Sequence, residues 1–373
     1  MIRPVEFSRL ADCPICGSDQ LESHNQRREF AQNKTDCFVF DFDDCVCAGC
    51  GFVVSRNRPS EAALDDYYKG YLRSLSNVAA AEIDQRVEIL TPFLPARARI
   101  LEIGGGRSSF ADKLTTLGHE VFQEDPSTIS EAGGSDSGFD LICSYYVGEH
   151  VLDVNGWIDF QKKLLRPQGR VLIEVPNFAR HLMESMNNEH INHFQMKHLR
   201  QLLGNHGIAV VAASEDEVGR YFGMWAIGEV AAAGTPAGNI DDEAPATSRK
   251  MVAQARKQLE ERTRRFAAIM HDAKRKMAAG TVVGFWPCNE VTTNILMQAP
   301  DVEAGQLRLF DIDGEKHSID WCSLGRNVQQ PERQAVAGCG QLYLCSPSRN
   351  EEIAKAIAAM EIGDVTVTKV PFS

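Results

Sequence analysis

Short, continuous apolar runs alternate with amphipathic segments between residues 96 and 235, which is the pattern of an α/β sheet whose strands are buried on both faces. Four of these runs predict strands, at 99–103, 120–123, 139–144 and 170–175. Between the last two runs, residues 157–169 have helical spacing and end in a Pro-x-Gly turn. We therefore expect a doubly wound α/β domain here.

A second, smaller set of alternating elements occupies residues 281–373. Its expected strands and helices lie at 281–285, 290–297, 307–311, 341–345, 350–360 and 365–370. The order is Rossmann-like, but the first turn, 286–290, lacks the glycine fingerprint that cradles a dinucleotide. This argues against NAD binding and favours a scaffold or substrate-docking role for the C-terminal unit.

The remaining segments connect these units. Apolar residues from Met251 to Met277 recur at three- or four-residue steps or their multiples, which predicts one long helix over 247–279 that Gly280 ends. Residues 61–95 predict a helical connector that begins at an N-cap, Ser60. We place the boundaries at 1–60, 61–95, 96–235, 236–280 (a linker and the long helix) and 281–373.

Composition and charge limit the classes of function that the chain can have. The chain has 373 residues, a formal net charge of -12 and the composition of an ordinary globular protein. No apolar run approaches the ~20 residues needed to cross a bilayer, and the N-terminus has no apolar signal core, so a cytoplasmic protein without a membrane partner is expected. The negative charge argues against a nucleic-acid partner, because phosphate neutralisation drives such binding.

Six of the eleven cysteines lie within the first 50 residues. Cys13 and Cys16, and again Cys47 and Cys50, form C-x-x-C-G knuckles whose glycine lets the backbone fold round the sulfurs. Two knuckles supply four thiolates, so we predict one closed, structural zinc site, with Cys37 and Cys45 as weaker alternative ligands. The spacer between the knuckles contains an aromatic run that predicts a hairpin, and Cys143 is expected to be a buried thiol.

The candidate ligand site begins where the first strand of the large α/β unit runs into a glycine turn. The turn comprises Gly104, Gly105 and Gly106, and an acidic pair, Glu124 and Asp125, follows the next strand. Glycines let a ligand approach the backbone closely, and an acid there can accept both hydroxyls of a ribose. Because Ser109 stands where the last glycine of the NAD fingerprint belongs, that fingerprint is incomplete; a tight turn of another α/β domain remains the alternative.

The run from Glu102 to Gly106 resembles the first motif of class I methyltransferases, E-x-G-x-G, and the Leu-x-Pro-x-Gly ending at Gly169 resembles a second junction of that fold. The resemblance implies S-adenosylmethionine as cofactor. It assigns cofactor binding to Glu102, Gly104, Gly105, Gly106, Asp125 and Tyr145. One departure is the short connection of 14 residues between Asp125 and Asp140, which affects the adenine side of the site.

The whole chain is similar to the zinc-containing sugar C-methyltransferases, which act on nucleotide-linked keto-deoxysugars. Four matches carry this resemblance: the two knuckles, the tyrosine segment beginning at Tyr67, the Val147–His150 segment, and the Glu189-His190 pair. The family's residues before that pair and its glycine-rich segment are different here, at Asn187-Asn188 and 218–223. These departures concern the acceptor side and leave a different sugar, or an O- or N-acceptor, open.

The resemblance implies a carbon nucleophile beside a ketone, which needs a base to remove its proton and a donor to stabilise the enolate. It assigns His190 as the base, Glu189 as its partner or alternate, and His150 and Tyr71 as supporting groups. Without the resemblance, the Glu-His pair could face solvent in a polar loop, His150 could cap a helix, and the tyrosines could be core edges.

Three functions therefore compete. The first is methylation of a small-molecule acceptor, with a nucleotide-sugar foremost. The second is an RNA methyltransferase that grips RNA with the zinc module, against which the net charge argues. The third is a non-catalytic binding protein that keeps the fold and has lost the donor site.

Overall fold

The computed structural model describes residues 1–71, 80–105, 109–124, 138–186, 189–216, 223–230, 242–302, 304–346 and 348–371. The N-terminal part is a small mixed sheet followed by two helices. Its elements are β1 (Ile2–Pro4), β2 (Phe7–Arg9), β3 (Leu21–Gln32), β4 (Cys37–Cys47), β5 (Val53–Ser55), β6 (Asn57–Pro59), α1 (Glu61–Lys69) and α2 (Ala80–Leu90). The predicted hairpin between the knuckles is confirmed as the antiparallel pair β3 and β4. Ser60 caps α1 as expected, because its side chain accepts from the backbone N–H of Ala63.

The central part contains a six-stranded sheet. Its elements are β7 (Arg99–Ile103), α3 (Phe110–Thr116), β8 (Glu120–Glu124), β9 (Phe139–Tyr145), α4 (Val154–Leu164), β10 (Leu165–Pro176), α5 (Leu182–Ser185), β11 (Asn192–His193), α6 (Met196–Asn205), β12 (Ile208–Ser214) and β13 (Gly223–Val230). All four strands predicted from the apolar runs are present. Every residue of β9 is buried, as the central strand of a parallel sheet requires.

The helix expected over 157–169 is shifted toward the N-terminus. It begins after Asp153, whose side chain accepts from the backbone N–H of Gly156 at 3.0 Å. It ends at Leu164 because Leu165 is already extended and pairs with Phe139 of β9. The nearby Pro167 explains the early end, since a proline disfavours helical backbone in the residue before it.

The C-terminal part is a second, wholly parallel sheet preceded by the long helix. Its elements are α7 (Ala244–Ala278), β14 (Val283–Trp286), α8 (Glu290–Leu296), β15 (Leu307–Phe310), β16 (Val328–Gln329), α9 (Arg333–Ala337), β17 (Gln341–Leu344), α10 (Asn350–Ala359) and β18 (Thr366–Lys369). The strand order β16-β15-β14-β17-β18 confirms the Rossmann-like prediction. Gly280 follows the long helix with a left-handed φ of 85°, which confirms the prediction that this glycine ends the helix.

Helix α7 joins the parts of the molecule. Its first half packs Val252, Ala255 and Leu259 against α5 and the N-terminal sheet. Its second half packs Phe266 and Met270 against the C-terminal sheet. None of the described helices combines the length and the apolar content that crossing a bilayer would require.

The central sheet has the order β12-β13-β10-β9-β7-β8, with β8 at the edge of the described strands. Strands β10, β9, β7 and β8 are parallel, whereas β13 runs antiparallel to β10. The chain moves outward from β7 to β8 and then returns to place β9 on the other side of β7. This is a topological switch point, and ligands of open α/β sheets bind in the crevice at the carboxyl ends of the strands beside it.

Candidate functional site

The glycine turn lies at this switch point. Gly104 has a left-handed φ of 76°, and its N–H donates to the carbonyl of Glu124 at 2.9 Å, which ties the ends of β7 and β8 together. A Cβ added to Gly105 would lie 2.5 Å from the carboxylate of Glu102, so a side chain there would have to displace that carboxylate. Two predicted cofactor residues, Gly106 and Asp125, lie outside the described residues.

Glu102 is buried beneath the turn. Its Oε2 accepts a hydrogen bond from Nε2 of Gln123 at 2.8 Å, so a residue of the neighbouring strand holds the carboxylate in place. The structure therefore brings Glu102, Gly104 and Gly105 together, as the sequence predicted. The missing side chain of Gly105 leaves the room that the Glu102 carboxylate occupies beside the turn.

Tyr145 lies across the switch point, at the end of β9. Its ring packs edge-on to Phe110 at 5.1 Å, and the guanidinium of Arg86 lies 4.2 Å from its centre. Its hydroxyl has no hydrogen-bond partner among the described residues. Burial raises the pKa of this hydroxyl, which keeps it neutral and able to donate to a ligand.

Two Glu-His pairs meet at the same edge of the sheet. Glu149 and His150 follow β9, whereas Glu189 and His190 precede β11. The backbone carbonyl of Glu149 accepts from the N–H groups of Ile191 at 2.8 Å and Asn192 at 3.0 Å, which joins the two segments. The rings of His150 and His190 are 4.7 Å apart at 76°, so residues separated by 40 positions become neighbours.

His190 has a defined proton arrangement. Its Nδ1 lies 3.0 Å from the backbone carbonyl of Ser185. Because a carbonyl can only accept, Nδ1 carries the proton and Nε2 presents its lone pair. Burial, together with the neighbouring His150, lowers the pKa of His190 well below its ordinary value, so the ring is neutral at pH 7. A neutral imidazole with an exposed lone pair is the form that a general base needs.

His150 is a neutral neighbour of this base. Burial lowers the pKa of His150, although the Glu189 carboxylate opposes the shift. Its Nε2 lies 3.8 Å from the carboxylate of Glu149. One donor atom each from Glu149, His150 and His190 lies within 4.8 Å of the others, so the three groups form one cluster.

The tyrosine segment reaches this cluster through Tyr67. The Tyr67 hydroxyl donates to Oε1 of Glu189 at 3.5 Å, and both groups are buried. Tyr71 packs its ring 5.5 Å from those of Tyr67 and Tyr68, and it is 39% exposed. Thus Tyr67 contacts the predicted acid, and Tyr71 forms the outer side of the same aromatic group.

Sequence reasoning missed three polar residues of this edge. Glu149 is buried, Glu174 at the end of β10 pairs with Arg86 at 3.0 Å, and Tyr146 has a left-handed φ of 57°. The N–H of Tyr146 donates to the carbonyl of Glu174 at 2.9 Å. A repeated Glu-His dipeptide was the signal that could have found Glu149; Glu174 and Tyr146 carry no comparable sequence signal.

The four predicted zinc ligands converge in the N-terminal part. The Sγ atoms of Cys13 and Cys50 are 3.6 Å apart, those of Cys16 and Cys47 are 3.5 Å apart, and all four lie within 4.8 Å of one another. A regular tetrahedron of thiolates around zinc has sulfur–sulfur distances of about 3.8 Å, given Zn–S bonds of about 2.3 Å. The cluster therefore has nearly the size that zinc requires.

The glycines of the two knuckles behave as predicted. Gly17 and Gly51 have left-handed φ values of 72° and 74°. Cys37 and Cys45 do not belong to the sulfur cluster: Cys37 packs in the core shared with the C-terminal sheet, and the thiol of Cys45 donates to the carbonyl of Asp43 at 3.5 Å. Cys143 is a buried thiol, as expected.

Comparison with known proteins identifies the central part. Residues 71–213 match a family model described as a methyltransferase domain. No curated protein matches the chain. This match agrees with the sheet order and the glycine turn, so the predicted class I methyltransferase fold and the assignment to S-adenosylmethionine-dependent methyltransferases are confirmed.

Solved methyltransferase structures resemble part of this chain at low identity. The 1,6-didemethyltoxoflavin-N1-methyltransferase of Burkholderia thailandensis, with S-adenosylhomocysteine bound, is 18% identical over 45% of this chain and 85% of its own, with a TM-score of 0.34. An S-adenosylmethionine-dependent methyltransferase of Mesorhizobium loti is 13% identical over 39% and 99%, with a TM-score of 0.33. The magnesium protoporphyrin IX methyltransferase of Synechocystis PCC 6803 is 14% identical over 39% and 77%, with a TM-score of 0.30. These low scores carry no argument about the acceptor.

Proposed function

We propose that this methyltransferase methylates a carbon atom of a nucleotide-linked keto sugar, or of a related small metabolite, beside a ketone. The observation that supports the proposal is the meeting of the two Glu-His pairs at the carboxyl edge of the central sheet, next to the glycine turn. A carbon acid needs a base with a free lone pair beside it, and the half-buried, neutral His190 supplies one.

The residues of the turn would hold the methyl donor. Glu102 lies buried against the backbone of Gly105, and the Tyr145 hydroxyl lacks a described partner. These features fit a nucleoside ligand with hydroxyl and amino groups to be hydrogen-bonded. When bound, S-adenosylmethionine supplies an electrophilic methyl group on a sulfonium.

The proton is handled by His190. Its Nε2 removes a proton from the carbon next to the ketone, and the Nδ1–H bond to Ser185 stabilises the imidazolium that forms. The electrons of the broken C–H bond pass into an enolate, whose carbon forms the new C–C bond. Glu189, held by the Tyr67 hydroxyl, acts on the neighbouring ring, because it raises the pKa of His150 against the effect of burial.

The proposal assigns a structural role to zinc bound by the four cysteines. Four thiolates form a closed tetrahedral set and leave no position for a substrate, so zinc there would stabilise the fold and take no part in the reaction. The domain boundaries drawn from the sequence remain part of the proposal, with the C-terminal unit as scaffold or docking surface.

A titration followed by a transfer assay tests the function. S-Adenosylmethionine and its demethylated product should bind the wild type in calorimetry and bind Asp125→Ala more weakly. Labelled methyl should then pass to a panel of nucleotide-linked keto sugars, and the product should carry the label on carbon.

The outcomes separate the alternatives. Label on oxygen or nitrogen would favour an O- or N-methyltransferase, and donor binding without transfer would favour a non-catalytic protein. Transfer to RNA with strong salt dependence would favour the RNA alternative. No binding of either donor form would overturn the proposed function.

A further inference from the structure

Glu149 is a buried acid to which the proposed reaction assigns no role. Its side chain is 1% exposed, and neither carboxylate oxygen has a hydrogen-bond partner among the described residues. Its backbone carbonyl nevertheless accepts two hydrogen bonds, from Ile191 and Asn192, so its position is well defined. A buried, positioned polar group without a partner is costly unless a ligand satisfies it.

The surroundings of Glu149 oppose its ionisation. Glu174 faces it from β10 and Glu189 from the segment before β11, and the guanidinium of Arg86 contacts Glu174 at 3.0 Å. His150 and His190, the nearby bases, are themselves kept neutral by burial, which lowers the pKa of each. Burial first, and then the charges of Glu174 and Glu189, raise the pKa of Glu149 well above its ordinary value.

We propose that Glu149 is a catalytic residue that remains a neutral carboxylic acid at pH 7 and donates a hydrogen bond to the ketone oxygen of the acceptor. The proposal deepens the proposed function and rests on it. The oxygen of a ketone and the adjacent carbon that loses its proton are separated by a single atom. A base and a donor that serve the two must therefore lie close together, as His190 and Glu149 do in their 4.8 Å cluster.

The proposed step involves two protons, one from the acceptor carbon and one on Glu149, and it needs no other. When His190 takes the proton from carbon, negative charge moves to the ketone oxygen, and the O–H of Glu149 donates to it. When the enolate carbon forms its bond to the methyl group, the carbonyl is restored and the sulfonium becomes a thioether. The proton of Glu149 stays on Glu149 throughout, and the proton from carbon remains on His190 until solvent removes it.

Two substitutions of similar size distinguish the donor from a base or a charge. Glu149→Gln keeps a neutral hydrogen-bond donor, whereas Glu149→Met fills the same space without one. We expect Glu149→Met to lower kcat by about 10²–10³-fold, the usual cost of one lost oxyanion donor. Glu149→Gln should retain at least tenfold more activity than Glu149→Met. Equal losses in the two variants would overturn the proposal.

Each variant is first shown to bind S-adenosylmethionine by calorimetry, which checks the fold. A second measurement does not depend on the acceptor. The infrared difference spectrum of wild type minus Glu149→Gln at pH 7 should contain the carbonyl stretch of a protonated carboxyl group. The band's absence would overturn the proposal whatever the acceptor is. If the wild type methylates no keto sugar, the proposed function fails, and the band alone then decides whether Glu149 is neutral.

Stability provides a third measurement. The unfolded chain releases the Glu149 proton above pH ~4.3 and the folded chain retains it, so rising pH favours unfolding of the wild type. From pH 6 to pH 8, the unfolding equilibrium constant of the wild type should increase relative to that of Glu149→Gln by up to about tenfold per pH unit. A constant ratio would contradict the proposal.

Glu149, His150 and His190 could instead bind a divalent ion, since one carboxylate and two imidazoles are ligands of transition metals. A titration of the zinc-loaded protein with Co²⁺, followed by its absorption spectrum, tests this. No spectral change is expected. A site that binds Co²⁺ in the wild type and is lost in Glu149→Met, with activity that depends on the ion, would overturn the donor role.

Discussion

The reactivity of the site depends on a few side chains whose protonation the fold decides. Ser185 places its carbonyl against Nδ1 of His190, and this contact selects the tautomer with a free Nε2. Burial then keeps the ring neutral by lowering its pKa. A histidine in the same sequence context but in a solvated loop would have neither property.

The first prediction concerns the base. His190→Gln removes the only proton acceptor proposed at the carbon, so kcat should fall by about 10²–10⁴-fold, the usual contribution of a general base. His271→Gln, the same change on the exposed face of α7, is the matched control and should retain wild-type rate. Full activity of His190→Gln in the labelled-methyl assay would show that another group, with Glu189 as the first alternative, is the base.

The second prediction concerns pH. Because burial lowers the pKa of His190, the neutral base persists below the ordinary histidine value of about 6.5. The profile of kcat/KM should therefore be flat between pH 6.5 and pH 7.5 and fall only at lower pH, as the ring gains its proton. A profile with its acid midpoint at or above pH 6.5 would contradict the lowered pKa.

At the scale of elements, the glycine turn depends on a missing side chain, whereas helix α7 depends on a buried charged one. The turn needs the absence of side chains, since a Cβ at Gly105 would collide with Glu102. Helix α7 needs a charged side chain in its buried stripe: Nη2 of Arg262 donates to Oε1 of Glu29 on β3 at 2.7 Å, and both groups are buried.

The third prediction tests the turn. In Gly105→Ala the new methyl group must displace the Glu102 carboxylate, and the affinity for S-adenosylmethionine should fall at least about tenfold, which corresponds to about 1.4 kcal/mol. Gly305→Ala is the control, because a Cβ there meets nothing within 4 Å. Calorimetric titration of both variants measures the effect, and equal affinities would show that the position of the Glu102 carboxylate does not matter for binding of the methyl donor.

The fourth prediction tests the buried ion pair. Arg262→Met leaves Glu29 buried without its close partner and should lower the free energy of unfolding by about 3–5 kcal/mol, measured by urea denaturation. Arg265→Met, one turn away, breaks only the exposed pair with Glu261 and should cost about 0.5 kcal/mol or less. Similar losses in the two variants would show that burial does not determine the effect.

At the scale of the whole molecule, the cysteine knuckles and the segment that contains His190 are joined by hydrogen bonds. Strand β11, which follows His190, pairs with β5 of the N-terminal sheet. The side chain of Asn155 in α4 donates to the carbonyl of Pro14, and that of Asn205 in α6 donates to the carbonyl of Ile15. The knuckles are thus attached to helices of the methyltransferase domain, and their loss should affect the site.

The fifth prediction concerns the metal. Elemental analysis should find one zinc per chain, and Cys50→Ser should lose it, because one thiolate of the tetrahedral set is missing. Metal loss should lower the thermal midpoint and the rate of methyl transfer together, since the knuckles support α4 and α6. Cys143→Ser, a buried thiol outside the sulfur cluster, is the control and should retain the metal. A full zinc content in Cys50→Ser would show that the ion binds elsewhere.

The C-terminal sheet has the predicted strand order, but a hydrogen bond crosses its switch point. Its Rossmann-like order was predicted from the apolar runs and is confirmed. At its own switch point, between β14 and β17, Nδ2 of Asn289 donates to the carbonyl of Cys345 at 2.8 Å. This amide bridges the crevice that a dinucleotide would occupy in other proteins of this order, which is consistent with the scaffold role expected from the missing glycines.

The sequence by itself determined the four parallel strands of the central sheet, four strands of the C-terminal sheet, the long helix, the sulfur cluster and the glycine turn, because each depends on local spacing: apolar period, knuckle spacing, or the absence of a Cβ. Only the tertiary structure decided which acids and bases meet. The two Glu-His pairs, at 149–150 and 189–190, lie 40 positions apart in sequence and become neighbours through the hydrogen bonds of one carbonyl. Their protonation states follow from burial, and burial is a property of the packed molecule that no local pattern contains.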